Sequence, residues 1–284
     1  MDGRTIVITG ASTGIGYSIA ERFAKAGWQV FGSVRKAADG DRLQRELGVT
    51  PLHFDVTDGP AIAAAAAEVA AALGNRTLDG LINNAGLVVS GPMLYLKPEE
   101  MLYQQEVNVL GPMRVTQAFA PLLGVDRTRQ GRPGRISQIS SVAGSNGFPF
   151  MGAYCASKHA LNGMSESLRR ELLMFGIEVS IVAPGAIVTP IWDKGEQQDM
   201  EQYRNTPYGA GLPRFREEML KMGRRGLPAS RVTDAVWHAM TASKPKLRYE
   251  VIPNKFREYT LPRLLPKRMV DRFFGKMLGP AAQG

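Results

Sequence analysis

The stretch Thr5-Ile-Val-Ile-Thr9 runs directly into Gly10-Ala-Ser-Thr-Gly14-Ile-Gly16, and this junction restricts the fold more than any other part of the chain. A short run of β-branched residues is the pattern of a strand buried on both faces, as in a parallel sheet. After the glycines, Ile15, Ile19, Ala20, Phe23 and Ala24 recur at helical spacing. Strand, glycine-rich turn and helix make a βα unit. The N-terminus of that helix can hold an anion, because its first amides are unpaired and its dipole favours negative charge. Glycines at the turn let the backbone approach a pyrophosphate closely. The spacing here is Gly-x-x-x-Gly-x-Gly, not the common Gly-x-Gly-x-x-Gly.

The rest of the chain alternates strand and helix, which places it in the α/β class. Residues 29–34 read as a second strand ending at Arg35-Lys36. An NAD-type site puts an acid there for the ribose 2′-hydroxyl. This chain has Val34 and then two cations, and Arg35 suits a 2′-phosphate through its planar fork. Ser12 and Thr13 are placed to add hydroxyl contacts; the plainer alternative is that Arg35 and Lys36 solvate a strand end. Residues 52–57 read as a third strand, with Asp55 and Val56 near its end and Asp55 placed to accept from an adenine amino group. A fourth, 78–82, leads into Asn83-Asn84-Ala85-Gly86, which suits turn chemistry and close approach of a ligand. A helix is expected over about 98–123, in which Asn108 needs a backbone or water partner. Further strands are expected at 135–139, at 177–183 (followed by Pro184-Gly185 and, further on, Ile187 and Thr189) and at 249–252, with a helix over 232–242. From 190 to 228 periodicity is poor, the mark of a functional lid.

Tyr154 and Lys158 are four residues apart, so a helix puts them on one face. Upstream, the apolar run ending Ile139-Ser140-Ser141 looks like a buried strand meeting a loop. A hydroxyl, a phenol and an ammonium could thus converge on one polar substrate atom. A free phenol has a pKa near 10, and lowering it by about 3 units takes roughly 4 kcal/mol. A cation about 4 Å away at an effective dielectric of ~20 supplies that order of energy. Lys158 is therefore expected to make Tyr154 a usable general acid or base. Taken alone, Tyr-x-x-x-Lys is a pattern that many helices contain by chance.

With these pieces assembled, the chain resembles the short-chain dehydrogenase/reductase family over roughly residues 5–189, and more loosely to 251. The matching elements are Thr9-Gly10-x-x-x-Gly14-x-Gly16, Asp55, Asn83-Asn84-Ala85-Gly86, Asn108, Ser141, Tyr154-x-x-x-Lys158 and Pro184-Gly185…Thr189. Tyr154-Cys-Ala-Ser-Lys158 and Arg35 look most like the hydroxysteroid and retinol dehydrogenase branch. The resemblance implies a doubly wound, seven-stranded parallel sheet carrying NAD(H) or NADP(H), and Arg35 favours NADP(H). It implies that Tyr154 exchanges a proton with the substrate oxygen and that Ser141 hydrogen-bonds that oxygen. Lys158 would tune Tyr154 and bind the nicotinamide ribose, and Asn108 would hold a water of the proton relay. Gly10, Ser12, Thr13, Ile15 and Asn84-Ala85-Gly86 would surround adenosine and phosphates, while Ile187 and Thr189 would meet the nicotinamide. The alternative is a cofactor-binding sensor or scaffold without turnover, against which the complete set Asn108, Ser141, Tyr154 and Lys158 argues.

Phe148-Pro-Phe-Met151 and the aromatic and methionine residues of the lid suggest an apolar pocket for a steroid-, retinoid- or long-chain-like alcohol or carbonyl; the plainer alternative is that they simply pack the lid. One cysteine, Cys155, excludes an internal disulfide and fits a reducing compartment; it reads as a small packing residue. His53, His159 and His238 lack ligand spacing, so no metal is expected. The strand pattern starts at Thr5 with no leader before it, and no run of about 18 apolar residues occurs, so a cytoplasmic protein is expected, as a homodimer or tetramer. The formal charge is +9, of which ten cations and three acids between Lys244 and Lys276 contribute +7. A nearly neutral body argues against nucleic acid. The chain thus divides into a dinucleotide-binding unit, 1–260, and a basic extension, 261–284. There Leu264, Leu265, Met269, Val270, Phe273, Phe274, Met277 and Leu278 recur at helical spacing with cations between them. Such a helix either packs on its own domain or a dimer partner, or lies in a membrane interface through 261–278.

Overall fold

The computed structural model of the protein describes residues 3–197 and 199–278. Its first half is β1 (Thr5–Ile8), α1 (Gly14–Lys25), β2 (Gln29–Val34), α2 (Ala37–Leu47), β3 (Thr50–His53), α3 (Gly59–Leu73) and β4 (Gly80–Asn83). The second half adds α4 (Pro98–Gln105), α5 (Gly111–Phe119), β5 (Arg135–Ile139), α6 (Gly152–Glu171) and β6 (Glu178–Pro184). There follow β7 (Ile187–Val188), α7 (Ile191–Gln197), α8 (Gly211–Arg224), β8 (Leu227–Pro228), α9 (Ala229–Thr241), β9 (Arg248–Val251), α10 (Leu261–Leu264) and α11 (Lys267–Leu278).

Seven strands form one parallel sheet in the order β3-β2-β1-β4-β5-β6-β9. The strand alternation divides the core between two faces. Ile6 and Ile8 join Ile19, Phe23 and Val236 on the α1/α9 side, while Val7 joins Ile62, Val115 and Phe119 on the α3/α5 side. All three β1 residues are fully buried, which explains the uninterrupted apolar run. Strand order reverses between β1 and β4. In open α/β sheets the crevice beyond the carboxyl ends at such a switch point is where ligands bind.

Three expectations change in detail. The helix expected over 98–123 is two helices joined by a π-helical turn, Glu106–Leu110, with a second such turn, Pro121–Val125, where Gly124 has φ 113°. Asn108 sits at the middle of the first turn, and spacing alone does not reveal the irregularity. The stretch 190–228 is α7, a short 3₁₀ turn, α8 and β8; the 14-residue α8 carries Leu212, Phe215, Met219 and Met222 at helical spacing, a pattern obscured by the irregular residues before it. Leu212 and Phe215 of α8 turn inward onto Phe150 and Tyr203. The tail folds as α10 and α11, and α11 packs against α8. Residues 279–284, the end of the basic extension, lie outside the described residues. Among the described residues no helix is long and apolar enough to cross a membrane.

Candidate active site

The loops after β1 and β4 are tied together before they meet any ligand. Thr9 Oγ1 accepts from the amides of Asn84 and Ala85 at 2.9 and 3.0 Å. In return Asn84 Nδ2 donates to the carbonyls of Thr9 and Gly10 at 2.9 and 3.1 Å. Gly10 and Gly14 have φ of 65° and 59°, the left-handed region that favours glycine. Gly16 is held to glycine by space: a Cβ there would stand 2.2 Å from the Gly10 carbonyl oxygen and 2.5 Å from Asn84 Nδ2. Gly16→Ala should therefore push the turn away from α1. The expected result is at least a tenfold loss of dinucleotide affinity, read by quenching of bound-nucleotide fluorescence, with a lower melting midpoint.

On the floor of the crevice, β5 ends and the loop turns at Ser141, whose Oγ accepts from the Ala143 amide at 3.1 Å. The Ser141 side chain stands near enough to the Tyr154 phenol to favour its ionised form, while Ser141 Oγ donates to the Pro184 carbonyl at 3.4 Å. Lys158, one turn along α6, is buried and donates from Nζ to the Ile139 carbonyl at 2.9 Å. Its Nζ lies 5.8 Å from the centre of the Tyr154 ring. The structure thus brings together the hydroxyl, phenol and amine, as the spacing implied.

Their electrostatics differ from expectation. Burial pushes the Tyr154 phenol up to about 12, and the Ser141 side chain offsets this only in part. Burial likewise pushes Lys158 down to about 8. Lys158 was expected to lower Tyr154, but here desolvation dominates both groups and no lowering by Lys158 contributes. At neutral pH Tyr154 holds its proton, ready to donate. Burial also pushes up the Cys155 thiol, which keeps it a packing residue and not a nucleophile.

A cavity of about 1990 Å³ runs along the crevice, lined by every expected site residue except Gly16 and Asn108. Gly16 sits behind the turn. Asn108 is fully buried, its Oδ1 accepting from the Leu87 amide at 3.0 Å and its Nδ2 donating to the Leu87 carbonyl at 3.0 Å and Ser157 Oγ at 3.1 Å. Its amide therefore clasps the β4 loop to α6. Asp55, placed by sequence to meet an adenine, accepts from the Thr57 amide and hydroxyl at 3.0 and 2.9 Å and pairs with Arg35 at 3.6 Å. The Arg35 side chain stays 67% exposed at the cavity rim, free to turn toward an anion.

Three contributors escape a reading by pattern. Ser33 accepts from the Gly10 amide at 2.9 Å, and a lone hydroxyl inside a buried strand was its only signal. Ser145 Oγ accepts from Arg248 at 3.0 Å and from the Tyr259 hydroxyl at 3.3 Å, tying the Ser141 loop to the C-terminal segment. Phe150, the only non-glycine residue with positive φ (59°) among the described residues, packs edge-on against Tyr208 and Phe215 at 5.6 and 5.2 Å. The aromatic contacts hold this strained residue in the cavity wall, joining the loop to the lid.

A glycine cradle with no room for side chains, hydroxyls beside it and a cation at the end of β2 fit an NAD(P)-type dinucleotide. Together with the hydroxyl, phenol and amine beyond, they are the equipment of an oxidoreductase. The comparisons with known proteins agree. The family model described as short chain dehydrogenase matches residues 4–200, and the chain belongs to that family, near its hydroxysteroid and retinol dehydrogenases. It is 38% identical over 282 residues to an NADPH-dependent 3-dehydrocapnine reductase of Ornithobacterium rhinotracheale, covering 99% of each chain. It is 32% identical to mouse retinol dehydrogenase 16, covering 95% of this chain and 87% of the relative. A solved short-chain dehydrogenase from Streptomyces avermitilis superposes with a TM-score of 0.75 at 27% identity, covering 97% of both chains.

Proposed function

We propose that the protein is an NADP(H)-dependent alcohol oxidoreductase that interconverts a secondary or allylic alcohol and its carbonyl on an apolar substrate. The observation that carries this reading is the Ser141–Tyr154 hydroxyl pair, with buried Lys158 beside it, on the floor of an apolar-walled cavity. A nicotinamide bound in this crevice would supply or take the hydride. Tyr154 gives its proton to the substrate oxygen as charge develops there, and Ser141 donates a hydrogen bond to the same oxygen. Lys158 sits where it can reach a ribose hydroxyl, and the loops after β1 and β4 seat the phosphates. Phe148, Phe150, Met151, Trp192, Leu212 and Phe215 offer a steroid-, retinoid- or long-chain-like body an apolar wall. Relatives named for retinol and for 3-dehydrocapnine support that class. The reading extends to a homodimer or tetramer in the cytoplasm. Purified protein with NADPH, offered steroid, retinoid, aliphatic long-chain ketones and 3-dehydrocapnine, should oxidise NADPH with at least one. A panel with no turnover defeats the proposal.

Arg35 sets the cofactor preference. A charge-assisted contact to a 2′-phosphate is worth about 1.5–3 kcal/mol, or roughly 10- to 150-fold. Measured kcat/KM should favour NADPH over NADH by about that factor, and Arg35→Asp should erase or invert it. Equal use of both cofactors by the unaltered protein would remove Arg35 from this role.

A further inference from the structure

The helix α11 borders the outer end of the cavity with two apolar rows, one half-buried and one largely exposed. Leu265, Val270 and Phe274 are half-buried and line the outer end of the cavity. Phe274 meets Phe148 edge-on at 6.2 Å. In the next row Met269 is 52% and Phe273 63% exposed, near Leu264 at 73% on α10; both also border the cavity mouth, and Phe273 meets Phe274 edge-on at 5.6 Å. Met269 and Phe273 lie one turn apart, so they form a row along the helix. Arg268 and Arg272 form the adjoining row, also exposed. Among the described residues Lys267, Arg268 and Arg272 enter no ion pair, whereas the Arg263 guanidinium is engaged by the Tyr259 hydroxyl. The side chains of Lys276, Met277 and Leu278 lie outside the described residues.

Large apolar side chains left in water beside a row of unpaired cations call for a partner that is apolar in its interior and anionic at its surface. We propose that this outer face of α10 and α11 docks on an anionic lipid bilayer and sets the mouth of the cavity against the membrane. A lipophilic substrate then passes along α11 from its exposed row to its half-buried row without crossing water. The substrate path rests on the function proposed above. The docking does not, because it is read from lipid binding alone.

The test is co-sedimentation of the full chain with vesicles of phosphatidylglycerol and phosphatidylcholine, or of phosphatidylcholine alone, in low salt and in about 1 M salt, where the screening length falls to roughly 3 Å. The unaltered protein should pellet with the anionic vesicles in low salt and bind at least tenfold less in the other conditions. Met269→Glu/Phe273→Glu should stay in the supernatant. Leu173→Glu/Met174→Glu alters a second exposed apolar pair, 67% and 70% exposed, beyond α6, and should pellet as the unaltered protein does. Circular dichroism and thermal melting establish that each variant is folded. If the first fails to fold, Arg268→Gln/Arg272→Gln replaces it, with an expected loss of about fivefold per cation. The proposal fails if the unaltered protein stays in the supernatant, or if the outer-face variants bind as it does. It also fails if Met269→Glu/Phe273→Glu splits an oligomer in gel filtration while vesicles bind nothing, which would make the face a contact between copies of the chain.

Discussion

Tyr154→Phe should lower turnover by about two to four orders of magnitude, the usual worth of a positioned general acid, while folding and dinucleotide affinity stay close to normal. The ring remains to fill its place in α6, and Ser141 keeps its bond from the Ala143 amide at 3.1 Å. What disappears is the proton that burial holds on the phenol, whose pKa stands at about 12. A carbonyl oxygen gaining negative charge then has only the Ser141 hydroxyl to meet it. That group stabilises charge, but it has no neighbour arranged to replace its proton. Single-turnover reduction under excess NADPH isolates the chemical step from product release. If the variant keeps most of the activity in that measurement, Tyr154 is not the proton donor.

How much of this was legible in the chain differs from residue to residue. Ile6, Val7 and Ile8 announce a doubly covered strand, because burial on both faces permits no polar alternation. Gly10, Gly14 and Gly16 announce the crevice, since backbone conformation at the first two and space at the third leave no room for a side chain. The four-residue spacing of Tyr154 and Lys158 places them on one face of α6, and Ser141 completes the site from the neighbouring loop. The missed features are those that depend on what surrounds a residue. Sequence spacing gave Lys158 a charge but not the burial that pulls its pKa down. Asn108 was marked as needing a partner, yet only the π-helical turn aims its amide at Leu87. In the tail the stripe of apolar residues was plain, but its division between a half-buried row and an exposed row follows from packing on α8 and Phe148.

At Lys158 the expected signature is a dependence of stability on pH. Its amine has an ordinary pKa of 10.5 and a folded value of about 8, because it is buried against the Ile139 carbonyl with desolvation as the cause. Below about pH 8 folding must carry the full cost of a buried ammonium. Between the two values the unfolded chain holds the proton and the folded chain does not, so stability rises with pH. Each pH unit in that window is worth about 1.4 kcal/mol, for a total climb of about 3 kcal/mol. Tyr154 acts in the opposite sense but later: its folded value lies above the ordinary 10.0, so its contribution is lost only as pH passes from 10 toward 12. The clean window is therefore pH 8 to 10. Lys158→Met keeps the length of the side chain without a titrating group, and urea unfolding of both proteins across this window cancels every other titration. The stability of the unaltered protein relative to the variant should climb by about 1.4 kcal/mol per unit. The Ile139 carbonyl loses its donor in the variant, which costs about 1–3 kcal/mol at every pH and leaves the slope untouched. Turnover of Lys158→Met should be low throughout, since no amine remains to hold the ribose of the proposed cofactor. A difference that stays flat from pH 8 to 10 would mean that the amine keeps its ordinary proton affinity in the folded protein, and that its burial has been relieved by a group other than the Ile139 carbonyl.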